Sequence, residues 1–68
     1  MNYKPIKAVM LRNNDKFIDV DGVITVTNFK MNFRDADGGI VTFTATKEDG
    51  SVSERWTAMD KLVNKVTS

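Results

Sequence analysis

The side chains best placed to do chemistry in this 68-residue chain are carboxylates, which twice fall in pairs beside a glycine: Asp19-Val20-Asp21-Gly22 and Asp35-Ala36-Asp37-Gly38. Oxygen ligands at alternate positions next to a tight turn are what a calcium loop requires. An EF-hand loop needs oxygen at positions 1, 3 and 5, glycine at 6 and glutamate at 12. Counted from Asp35, position 5 is Gly39 and position 12 is Thr46; counted from Asp15, position 3 is Phe17. Neither count satisfies the loop, and Asp-Gly turn chemistry accounts for both pairs.

Catalysis finds no better footing. The chain has no histidine and no cysteine. That removes the side chains that carry most neutral-pH proton transfer, thiol chemistry and soft-metal binding. Ser51, Ser53 and Ser68 therefore have no imidazole to activate them, and no lysine stands at a Ser-x-x-Lys spacing. Gly38-Gly39 leads into a strand pattern rather than a helix, so no phosphate-cradling loop is formed. A glycosidase-like carboxylate pair needs a cleft between acid and base, and nearly every acidic residue here falls in an expected turn. The expectation is a protein that is not an enzyme, with no cofactor and no metal.

Binding chemistry has two sources. Lys30, Asn32 and Arg34 alternate with Phe29, Met31 and Phe33, so an extended chain would put the polar set on one face and the apolar set on the other. Small barrels bind single-stranded nucleic acid by stacking bases on aromatics in a basic groove. Here the aromatics point away from the cations, which is how core residues of an amphipathic strand behave. The second source is Tyr3 and Trp56, the aromatics expected at the surface and so the natural anchors for a partner protein. Trp56 has a structural role open to it as well, as a cap on the core; Met10 and Met59 are expected to fill the core.

Turn signals at short intervals set the elements that would position these residues. A first strand is expected over 6–11, after Pro5. The polar turn Arg12-Asn13-Asn14-Asp15 leads to a second strand over 17–20, and Asp21-Gly22 predicts a two-residue type I′ hairpin into a long strand over 23–34. Val23, Ile24 and Val26 place apolar side chains on both faces of that strand before Asn28, and one face only after it. A bend or bulge at Asn28 reconciles the two halves. A strand over 40–46 alternates Val41, Phe43 and Ala45 with Thr42, Thr44 and Thr46. Phe29, Phe33, Val41 and Phe43 form the expected core. A strand over 52–57 closes the next hairpin, although a helix beginning at Ser53 fits the same residues. Met59, Leu62, Val63 and Val66 then share a helical face, with Thr57 as N-cap, which predicts a C-terminal helix.

The segment Gly22-Val23-Ile24 through Asn28-Phe29-Lys30-Met31-Asn32-Phe33 is similar to the first motif of Sm-like RNA-binding barrels: a glycine, an aliphatic residue two later, an acidic or amide residue, then Met-Asn and an apolar residue. The resemblance covers about a sixth of the chain. It implies a base pocket around Asn28, Met31 and Asn32. The chain departs from the family at Asn28, where aspartate is usual, and lacks the second, Arg-Gly motif; its expected helix is also at the opposite end.

Size and charge bound the remaining readings. Residues 1–68 make one small domain, without room for a second. A chain this short buries only about 60% of its unfolded surface, and with no disulfide or zinc available, a homodimer is one route to added stability. Ten Lys and Arg oppose nine Asp and Glu, a net charge of +1, without the basic excess of a dedicated nucleic-acid binder. No run approaches the length of a membrane span. Met1-Asn2-Tyr3-Lys4 does not open a signal peptide, and a cysteine-free chain fits the cytoplasm. The fold expected is β-rich, a small curved antiparallel sheet or barrel of about five strands with one C-terminal helix. The function expected is non-catalytic regulation or inhibition of a partner protein, of the kind seen in small accessory and phage proteins, through Trp56, Tyr3, Lys30, Asn32 and Arg34. Binding of single-stranded nucleic acid is the alternative.

Overall fold

A computed structural model describes residues 2–33 and 38–67. Six strands make one antiparallel sheet: β1 (Tyr3–Lys7), β2 (Lys16–Asp19), β3 (Gly22–Phe33), β4 (Gly39–Lys47), β5 (Val52–Ala58) and β6 (Leu62–Val66). They lie in the order β1-β6-β2-β3-β4-β5. β2 to β5 form a meander, and β6 returns to pair with both β1 and β2. The sheet curls around a core of Ala8, Leu11, Phe17, Ile24, Val26, Val41, Phe43 and Ala45 but does not close into a barrel.

The expected C-terminal helix is a strand. Leu62, Val63 and Val66 sit at helical spacing, yet they lie on opposite faces of β6, and of the three only Val63 packs against the core. The β-branched valines suit an extended chain. Two neighbouring strands offer this segment a ladder on both sides, which outweighs a weak 3.6-residue period. The N-terminal strand also differs. It begins at Tyr3 and stops at Lys7, and residues 8–10 turn through a short 3₁₀ helix that buries Ala8 and leaves Met10 exposed.

Asn28 makes the bend that the long strand requires. The β3–β4 pairing runs in register from Ile24 to Thr27, then resumes at Lys30 opposite Thr42 with one extra residue on β3. Asn28 carries φ 53°, a left-handed conformation that asparagine tolerates better than most residues. The bulge takes Phe29 out of the ladder, and its N–H donates instead to Asn13 Oδ1 at 2.9 Å. The Asn28 amide donates to Thr44 Oγ1 at 3.2 Å. Beyond this point β3 runs past the core, while β4 stays over it as far as Val41. Phe29 packs against it, but Met31 and Phe33 do not, and Phe33 is 78% exposed. Phe33 is therefore not the core residue that alternation suggested.

The β2–β3 hairpin forms, with Asp19 opposite Gly22 and residues 20–21 between them. Only Gly22 has positive φ, at 105°. The turn is thus not type I′, which needs positive φ at both central residues, and a single left-handed glycine after the turn matches a bulged hairpin instead. Gly39 is constrained differently: a Cβ there would meet the backbone carbonyl of Asn32 and the Met59 side chain.

Candidate functional site

The residues proposed from sequence separate into groups. Directly opposed residues of an antiparallel pair share a face. Lys30 opposes Thr42, which opposes Trp56, and Asn32 opposes Ile40, which opposes Ala58. The sheet thus brings Lys30, Asn32 and Trp56 onto one outer face. Tyr3 lies on β1, at the opposite edge of the sheet. Arg34 falls outside the described residues, as do Asp35, Ala36 and Asp37 of the second carboxylate pair. The pocket implied by the Sm-like resemblance is not assembled: the Asn28 amide is committed to Thr44, and Met31 and Asn32 face opposite sides of β3.

Trp56 does not cap the core. It is 70% exposed on β5, which is an edge strand. Which backbone groups β5 leaves free follows from pairing parity, because hydrogen-bonded and non-bonded pairs alternate along an antiparallel ladder. Met59 N–H donates to Gly39 carbonyl at 3.1 Å, and Lys47 N–H to Ser51 carbonyl at 2.9 Å. The odd residues of β5 therefore bond to β4. The even ones, Val52, Glu54, Trp56 and Ala58, turn their N–H and C=O groups outward.

The same reasoning applies to β6. Thr67 N–H donates to Asn2 carbonyl, and Ala8 N–H to Lys61 carbonyl, both at 2.8 Å. Odd residues of β6 thus bond β1, and Leu62 and Asn64 face the other way. Asn64 pairs with Ile18 of β2, but the β2 ladder ends there, so Leu62, paired with Lys7 of β1, has no strand beside it on its other side among the described residues. β5 and β6 are consecutive, joined by residues 59–61, yet they splay apart instead of pairing. Between them lies a cavity of about 280 Å³. Leu11, Phe17 and Phe43 contribute its apolar lining, and residues 55–57 and 62–64 its walls.

Charge spans this opening where backbone does not. Arg55 Nη1 donates to Asp19 Oδ2 at 2.6 Å, joining β5 to β2 across the interior, and Asp21 and Lys47 extend the cluster with an ion pair of 3.5 Å. The Arg55 hydrogen bond holds the Asp19 carboxyl below its ordinary range, against an opposing effect of partial burial. The first carboxylate pair thus serves in ion pairs at a hairpin turn. Among the described residues no group of three potential metal ligands converges, and no helix is long and apolar enough to cross a membrane. Sequence reasoning missed Arg55, Leu62 and the cavity, because Arg55 meets Asp19 only across the curl of the sheet, and Leu62 and the cavity wall require β6 to be a strand.

Comparison with known proteins assigns no family: no protein-family model and no curated protein matches this chain.

Proposed function

We propose that the chain is a non-catalytic binding protein that regulates or inhibits a partner protein through the surface around Trp56. The observation that carries this reading is a tryptophan 70% exposed on an edge strand beside a cavity that Leu11, Phe17 and Phe43 line together with Asp19, Arg55 and Asn64. Tryptophan is strongly enriched among the residues that dominate binding energy, and an exposed one does little for a small core. The test is affinity capture with tagged chain from its native host, with and without nuclease. A nuclease-resistant protein partner should be retained by the wild type. Trp56→Ala should weaken capture by about 2 kcal/mol or more, roughly thirtyfold. Capture that disappears with nuclease overturns the reading.

A second reading, binding of single-stranded nucleic acid, draws on the row formed by Lys30, Thr42 and Trp56. A base stacked on the indole would place a phosphate within reach of a cation two strands away. In that case log affinity falls linearly with log salt, and the slope shrinks by about 0.7 when Lys30 is replaced by alanine. Micromolar binding of an oligonucleotide at physiological salt, lost in Lys30→Ala, favours this reading over the first. The near-zero net charge favours the protein partner.

A further inference from the structure

The two edges of the sheet are built differently, and the difference says what the open one receives. At the β1 edge the residues facing outward are Tyr3, Pro5 and Lys7, by the parity that Ala8 and Asn2 fix. Pro5 stands at the centre of these three positions, where it removes a donor from the free edge and costs no ladder bond. Proline and lysine on an edge are the usual means of blocking strand addition. β5 has neither. Its seven residues pair with β4 without a bulge, and the outward N–H and C=O groups of Glu54 and Trp56 have no hydrogen-bond partner among the described residues.

We infer that the opening between β5 and β6 receives an extended peptide segment of the partner protein, which adds to β5 as the sheet's seventh strand. The inference rests on the protein-binding reading above and specifies its occupant. Trp56 on one wall and Leu62 on the other each present an N–H and a C=O that have no hydrogen-bond partner among the described residues. A peptide backbone, which alternates donors and acceptors, answers both. A phosphate backbone supplies no donor for the carbonyls. A large apolar side chain of the segment fits the cavity beneath, against Leu11, Phe17 and Phe43. Its outward neighbours lie beside Trp56 and Leu62, which are 70% and 64% exposed. Lys61, in the lining of the opening, takes part in no ion pair among the described residues, so a carboxylate on the segment gains a cation there.

The test uses the full chain and a displayed library of random nine-residue peptides as the probe. Enriched peptides should alternate apolar residues and carry an acidic one. On adding such a synthetic peptide, amide exchange at Glu54, Trp56 and Leu62 should slow at least tenfold, while the outward amides of β1 stay unchanged. Glu54→Pro removes an outward donor without touching the β4 ladder and should abolish peptide binding; Glu54→Ala, which lacks the same side chain, should retain it. Equal peptide binding by Glu54→Pro and Glu54→Ala overturns the inference. So does protection of the same amides in the chain alone, rising with its concentration, which would make the occupant a second copy. A partner captured from the native host equally well by Glu54→Pro sinks strand addition and leaves the protein-binding reading standing, whereas nuclease-sensitive capture sinks that reading itself.

Discussion

Phe43 carries more of the core than any other aromatic side chain. It is 3% exposed on the central strand β4, and its ring meets Phe17 edge to face at 5.8 Å. Phe43→Ala should cost about 3–5 kcal/mol, comparable to the whole stability of a domain this size, and a urea melt reads it directly. An unchanged midpoint would show that the ring is not packed. Asp19 gives a prediction in pH. Its carboxyl titrates lower when folded than when unfolded, because Arg55 stabilises the ionised form. The unfolded chain therefore takes up the proton first. The pair's contribution is full above the ordinary carboxylate range, declines as pH falls into it, and is gone below Asp19's lowered value. With both side chains about a quarter exposed, the contribution at neutral pH is modest, about 1 kcal/mol at most. Asp19→Asn should flatten the acid side of a stability–pH curve; an identical slope would show that the pair contributes nothing.

Among the elements, β3 is the one on which the others depend. Its bulge lets one strand belong to both halves of the curl, pairing with β2 before the bend and with β4 throughout. Asn28→Val forces a β-branched residue to φ 53° and should cost about 1–2 kcal/mol, whereas Asn28→Gly should be tolerated. Denaturant midpoints of the two variants distinguish a required left-handed residue from a merely polar one. This bend was legible in the sequence, because the apolar pattern changes at Asn28. So were the bounds of β4, where alternation and Gly-containing turns agree; residues 53–57 fit a strand or a helix in the sequence, and the ladder to β4 decides for the strand. What the pattern did not carry was the extent of the core beneath it: Met31 and Phe33 keep the alternation of Phe29 after the underlying core has ended. The last element was misread for a related reason. Five residues are too few for periodicity to separate helix from strand, and the ladders that decide β6 come from β1 and β2, each more than forty positions away in sequence. The site suffered accordingly. Trp56, Lys30 and Asn32 could be named from the sequence, but Arg55 gains meaning only when the curl brings it to Asp19, and Leu62 only once β6 lies between β1 and β2.

At the scale of the whole molecule, the core is small and the stabilising devices are few. Nothing in the composition offers a soft-metal site, so a thermal scan should give the same midpoint with and without chelator. A drop of several degrees on chelation would reveal a site the side chains do not suggest. The four ion pairs among the described residues are partly exposed. Salt should therefore shift the midpoint little, and the core should set it.

The proline in β1 also fixes a valence. A sheet with two open edges can join copies end to end without limit, which is how native chains become fibres. With one edge open and the other stopped at Pro5, the molecule has a single sticky side, and any strand it accepts terminates the growth it begins. Its complexes are then finite in stoichiometry by construction. Pro5→Val would restore the missing donor on the closed side at little cost to the fold. On prolonged incubation at high concentration that variant should scatter light and bind an amyloid dye while the parent stays clear; a clear variant would mean that the proline is not what limits assembly.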